Sequence, residues 1–320
     1  MDVSQAIEQA NALVIPGFLI GDDALTAERQ KNEEAISVLM NAWKSAPIGA
    51  EPFSFDLVLS LAQRNREICD AYGIERLRNT RGVGLLGKLS EDDLIRSVAA
   101  LQHRSPDEVR KTAGPQAADL NIAYVEKPVS GMICGIDLET TDKYPTRGYI
   151  LNVGMEFVRL GPNSTAEKGY AAYCGLPDIY REKGVPLTEI HQITWDDIDG
   201  KLPFYENTDL QQAILRALET FPYMAHNASF EDSWLMLNLR GYAEARKAGK
   251  IIPIDTLDIC RRIDPEYRTL PHESGPGRLE NWARRRGVLK ADEKERHLGL
   301  EDVDLMFKTV EAEFSQRNMF

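Results

Sequence analysis

Hydrophobic positions along this chain change rhythm near residue 130. Before that point apolar residues recur three and four apart, the spacing of one face of a helix. They predict helices over Thr26 to Trp43, Ser54 to Tyr72, Ser90 to Leu101 and Ser105 to Thr112. Ser54, Ser90 and Ser105 stand where an N-cap is wanted, with acidic residues in the turn that follows. The apolar patch from Ala12 to Ile20 is short, broken by Pro16 and Gly17 and preceded by acidic residues. It is expected to be a core or interface segment, not a signal peptide.

Beyond residue 130 strand and helix patterns alternate. Met132 to Leu138 is a bounded apolar run and predicts a central strand. Tyr149 to Leu160 and Gly169 to Cys174 flank the turn residues Gly161 to Ser164, a hairpin signal. Helices are expected over Leu210 to Phe221, Phe230 to Leu239, around Asp255 to Arg262, over Leu279 to Arg286 and over Leu300 to Phe314. Short strands are expected over Pro222 to Ala225 and Ile251 to Ile254, and a surface loop over Asp264 to Gly277. The pattern therefore divides the chain into a mainly helical domain, 1–128, and an α/β domain, 129–320.

Composition narrows the function. The 320 residues are 43% hydrophobic and 28% charged, as in an ordinary globular protein, and no apolar run is long enough to span a membrane. Four scattered cysteines without C-x-x-C spacing suggest buried thiols in a reducing cytoplasm. A net charge of −12 argues against a protein that coats nucleic acid through many cationic contacts. It leaves room for an enzyme that grips one strand end through divalent ions.

Asp137 and Glu139 are two apart on the predicted central strand, so both carboxylates leave the same face. Two such groups repel unless a cation lies between them, and a divalent ion with oxygen ligands suits the place. His226-Asn227-Ala228-Ser229-Phe230-Glu231-Asp232 then closes a strand and opens a helix, and His297 precedes Asp302 by five positions near the last helix. A histidine beside metal-bound water can serve as a general base, because imidazole exchanges protons near neutrality.

In this order the three stretches resemble the motifs of the DEDDh 3′→5′ exonucleases. Asp137-Leu138-Glu139-Thr140-Thr141 matches D-x-E-T-T, His226 to Leu235 is similar to H-N-A-x-F-D-x-x-F-L, and His297 with Asp302 matches the third motif. His191-Gln192-Ile193-Thr194 resembles the family's H-G-I-T, and Asp255-Thr256-Leu257 its D-T-L. The middle motif departs at its acid: Glu231 stands at the family's aspartate, with Asp232 next to it, about 100° further round the helix. Either could be the ligand, Glu231 by register and Asp232 by residue type.

The resemblance implies a ribonuclease H-like mixed sheet flanked by helices and two ions, Mg²⁺ or Mn²⁺, held by Asp137, Glu139, Glu231 or Asp232, and Asp302. It implies His297 as base, and Leu138, Thr140, Thr141, His226, Asn227 and Phe230 around the terminal nucleotide. The implied reaction frees 5′ mononucleotides from a single-stranded or frayed 3′ end of DNA or RNA, in proofreading, repair or replication. A DNA polymerase or other replication protein would meet the N-terminal domain, and the protein would be cytoplasmic. The change to glutamate leaves open a catalytically weak or inactive member that binds nucleic-acid ends.

Three further signals carry less. Gly82 to Lys88 fits a phosphate loop, but Leu89 stands where Ser or Thr should bind magnesium, so a glycine-rich turn is expected. Ser90 to Thr112 has the outline of a helix-turn-helix. Arg284-Arg285-Arg286 is expected on a solvated helix face.

Overall fold

The computed structural model describes residues 2–14, 22–47, 55–72, 89–113, 129–293 and 297–320. The phosphate-loop-like segment Gly82 to Lys88 and the proposed cap Ser54 lie outside them. Among the described residues five helices come first: α1 (Val3–Leu13), α2 (Asp22–Ser45), α3 (Phe55–Tyr72), α4 (Glu91–Gln102) and α5 (Pro106–Ala113). Strands β1 (Gly131–Thr140), β2 (Ile150–Leu160) and β3 (Ala166–Tyr173) follow, then three short turns of helix, α6 (Ile179–Lys183), α7 (Thr188–His191) and α8 (Trp195–Ile198). The remainder alternates: α9 (Thr208–Thr220), β4 (Tyr223–Ala225), α10 (Ser229–Asn238), α11 (Tyr242–Lys247), β5 (Pro253–Asp255), α12 (Thr256–Ile263), α13 (Leu279–Arg285) and α14 (Gly299–Gln316).

The five strands form one mixed sheet in the order β3-β2-β1-β4-β5. β2 runs antiparallel to β1 and to β3, while β4 is parallel to β1 and to β5. This is the mixed sheet flanked by helices that the sequence leads one to expect. The hairpin supplies the antiparallel half, and helical crossovers return β4 and β5 parallel to their neighbours.

Alternation along β1 splits the core in two. Cys134, Ile136 and Leu138 face a cluster built with α2, α3, α9 and α10. Ile133 faces the other side, among residues of α4, α12, α13 and α14. The N-terminal helices thus pack on both faces of the sheet. Three contacts fix them there, two of them fully buried: Arg147 Nε to Glu33 Oε1 at 3.1 Å, Ser97 Oγ to the Pro253 carbonyl at 2.8 Å, and the part-buried Tyr149 Oη to Asp70 Oδ2 at 2.6 Å.

One expectation needs correction, that for the arginine run. α4 and α5 form as predicted, with a capping box at Ser90, and Ile95, Val98, Leu101 and Val109 are buried in the core. Arg110 is paired with Asp92 and Asp107, so the helix pair is part of the scaffold. The arginine run is not a solvated face: Arg285 and Arg286 both grip the buried Asp264 at 2.7 Å. Their partner lies across a loop, where helix periodicity could not reveal it. Among the described residues no helix is long and apolar enough to cross a membrane, and all four cysteines are buried and free.

Candidate metal centre

Asp137 and Glu139 sit at the end of β1, on the face covered by α14. The pairing register shifts between Glu139 and Thr140, an irregularity of the kind that re-aims side chains at the end of a strand. Asp302 lies in the first turn of α14, where the helix N-terminus favours a carboxylate. Oxygens of Asp137, Glu139 and Asp302 lie within 4.8 Å of one another.

What lets α14 come so close is glycine. Gly154, opposite Asp137 in β2, is the residue on which the start of α14 rests. A Cβ at Gly154 would lie 2.0 Å from the Gly299 carbonyl carbon and 2.1 Å from the Leu300 nitrogen. At Gly135 a Cβ would meet Val303 and Phe307 at 2.4 and 2.5 Å. Backbone therefore touches backbone at Gly154 and Gly299, and that contact sets the spacing between the strand acids and Asp302. The signal was present in the sequence, since a glycine inside a strand marks close approach by another backbone.

Helix α10 resolves the two neighbouring acids into different environments. Glu231 is buried, and its Oε2 has no hydrogen-bond partner. Burial, with Asp137, Asp255 and Glu139 nearby, pushes its carboxyl well above the usual carboxylate range. Asp232 faces away: its Oδ1 accepts from Tyr242 Oη at 2.7 Å and from Arg246 Nε at 3.1 Å. Arg246 also holds Asp93 at the start of α4, so Asp232 belongs to an ionic link between scaffold helices. Asp255, in the D-T-L stretch, accepts the backbone N–H of Asn227 at 3.0 Å and of Leu257 at 3.0 Å. It anchors the turn from which α10 departs, with Asn227 at a left-handed φ of 75°.

His297 also has a left-handed backbone, φ 52°. Its half-exposed ring places Nδ1 4.0 Å from Asp302 Oδ2, beyond hydrogen-bond length. His191, in the H-x-I-T stretch, is buried. Its Nδ1 accepts the Ile193 N–H at 3.0 Å, so Nε2 donates to the Pro186 carbonyl at 2.8 Å. Burial lowers its pKa, with His297 adding to the effect.

The residues expected at the terminal nucleotide flank the acids on two sides. Leu138 lies in the core on the opposite face of β1. Thr140 Oγ1 donates to the Asp142 carbonyl at 2.8 Å, and Thr141 Oγ1 accepts from the Tyr149 N–H at 2.9 Å. His226 uses both ring nitrogens, with Thr256 Oγ1 at 3.0 Å and the Gly277 carbonyl at 2.7 Å, and burial lowers its pKa to about 4. Phe230 is half-buried, its ring 6.0 Å from Trp234. The side chains of Thr140, Thr141 and His226 thus shape the fold around the acids.

No protein-family model and no curated protein matches the chain. Among solved structures, the zinc ion-bound form of the E. coli ExoI–ssDNA complex is similar at 16% identity, with a TM-score of 0.42. The match covers 58% of this chain and 41% of that one, so the matched part spans less than half the length of ExoI.

Proposed function

We propose that the protein is a metal-dependent 3′→5′ exonuclease that releases 5′ mononucleotides from the end of a nucleic-acid strand. One observation supports this above the others: the buried, unpartnered Oε2 of Glu231 beside three clustered carboxylates. Two negative charges 4.8 Å apart repel by about 3–4 kcal/mol even at an effective dielectric near 20. A set of acids that crowded suits a divalent cation with oxygen ligands, Mg²⁺ or Mn²⁺. Bound there, two such ions would activate water and polarise the scissile phosphodiester.

In this reading Asp137, Glu139, Glu231 and Asp302 would hold the ions. Asp232 holds Arg246 instead. His297, half-exposed at the edge of the cluster, accepts the proton of the attacking water. The Leu138–Thr141 run and the His226–Phe230 turn border the terminal nucleotide. A 5′-labelled oligonucleotide incubated with Mg²⁺ or Mn²⁺ tests the proposal. A ladder of shortened strands, lost with chelator and in Asp137→Ala, is expected; intact substrate with either ion overturns it. His297→Ala should slow cleavage strongly with metal binding nearly unchanged, whereas equal loss of metal affinity would make it a ligand.

A further inference from the structure

Where α2 and α3 meet the loop between β1 and β2, three buried polar atoms have no hydrogen-bond partner among the described residues. They are Arg29 Nε, Asn65 Nδ2 and Thr146 Oγ1. None of the three residues is more than 1% exposed. Leaving a buried donor unpaired is costly, and such atoms are rare in folded proteins.

The surrounding bonds bring the three residues to one junction. Asn32, one turn beyond Arg29 on α2, donates through Nδ2 to Asn65 Oδ1 at 3.0 Å. Glu33 accepts from Arg29 Nη1 at 2.8 Å and from Arg147 Nε at 3.1 Å, and Thr146 directly precedes Arg147. Cys69, one turn beyond Asn65 on α3, feels both guanidiniums. Burial pushes its thiol up to about 12, against the pull of Arg147 and Arg29.

The junction is also rich in buried positive charge. Glu33 is shared between Arg29 and Arg147. Arg66, 3% exposed, meets neutral acceptors, among them the Pro145 carbonyl at 3.3 Å and Asn238 Oδ1 at 2.9 Å. The nearby acids are engaged elsewhere: Asp70 takes the hydroxyls of Tyr149 and Tyr180, and Asp142 Oδ1 takes the Tyr144 N–H. Burial pushes both carboxyls above their ordinary value in spite of the arginines. Buried charge is stable only when it is paired.

We propose that this junction binds a small inorganic anion, chloride in size, through Arg29 Nε, Asn65 Nδ2 and Thr146 Oγ1. Guanidinium and amide nitrogens donate and cannot accept, and the threonine hydroxyl can turn to donate as well. A water accepts two hydrogen bonds and must then place two hydrogens of its own. An anion accepts all three and brings negative charge to Arg29. It would tie the two N-terminal helices to the loop that follows the strand acids. The inference stands apart from the nuclease reading and needs no turnover to be tested.

Thr146→Val keeps the shape of the side chain and removes only its hydroxyl. If no anion binds, losing an unpaired buried hydroxyl should leave stability unchanged or raise it. Protein dialysed into sodium gluconate is titrated with sodium bromide at constant ionic strength, and the melting temperature is followed by calorimetry. Wild type should gain stability with bromide concentration, as for any ligand of the native state alone. Thr146→Val should need about tenfold more bromide for the same gain. Arg29→Lys, which keeps the charge beside Glu33 but lacks Nε, should shift the titration at least as far.

A wild-type crystal grown in bromide reads the site directly, whatever the variants do. An anomalous peak in contact with Arg29 Nε and Thr146 Oγ1 is expected. An ordered water alone at that place overturns the site. So does a Thr146→Val protein that responds to bromide as wild type does, or that melts above wild type in saturating bromide.

Discussion

Replacing Gly154 with alanine should damage the metal centre without touching any acid. The new Cβ would lie 2.0, 2.1 and 2.4 Å from backbone atoms of Gly299 and Leu300. Ordinary carbon contacts are about 3.5–4.0 Å, so the start of α14 must retreat by about 1.5 Å. No flexible side chain can absorb that shift, because both surfaces are backbone. Asp302, in the same helical turn, moves with it and leaves Asp137 and Glu139. Overpacking of this kind costs about 1–3 kcal/mol of stability, and a misplacement of about 1 Å at a reacting centre can cost about a hundredfold in rate. Gly161→Ala is the control, since nothing lies within 4 Å of its Cβ. Thermal unfolding, Mn²⁺ titration by calorimetry and strand cleavage should be compared for the two variants. Gly154→Ala should lose metal affinity and activity far beyond its loss of stability. Equal behaviour of Gly154→Ala and Gly161→Ala would refute the claim that this contact sets the site.

Three other outcomes follow from the same geometry. Glu231→Gln removes a carboxyl whose ionisation burial and Asp137 disfavour, and should raise the melting temperature of the metal-free protein while abolishing stabilisation by Mn²⁺; calorimetry with and without the ion reads both. Arg246→Met strands Asp93 and Asp232 and should cost about 3–5 kcal/mol in urea titrations at neutral pH. For Asp93 burial works to raise the pKa, but the bond and charge of Arg246 prevail and hold it low. Its stabilisation is present above the unfolded carboxylate pKa of about 3.9 and is lost as pH falls through the lower folded value, so the variant's deficit should shrink in acid. Glu156 behaves oppositely: burial first, then Asp304, push it to about 7, against the pull of Lys308. The native state then holds the extra proton, stability falls as pH rises from about 4.5 to 7, and Glu156→Gln should stabilise by about 1–3 kcal/mol at pH 8 and little at pH 5 in chemical denaturation.

The sheet was legible in the sequence because strand periodicity and turn residues agree along Met132 to Cys174. The acids were legible because D-x-E on a strand leaves no freedom of face. α1 escaped notice because only Ala6 and Ala10 are buried on it, too weak a stripe to register, although Asp2 and Gln5 form its capping box. The contrast between Glu231 and Asp232 could not be read from register alone. It depends on Arg246 and Tyr242, which approach from α11, an element whose six residues carry little periodicity. Docking of α2 and α3 against the 141–149 loop was equally hidden, because buried ion pairs such as Glu33 with Arg147 join residues 114 positions apart.

The most direct test is nucleotide-resolution cleavage of a 5′-labelled single strand in Mn²⁺, comparing wild type with Asp137→Ala. Wild type should give a descending ladder and free 5′ mononucleotides, and chelator or the substitution should leave the strand whole. A strand that stays intact with wild type, or a ladder that persists in Asp137→Ala, would contradict the carboxylate-metal centre.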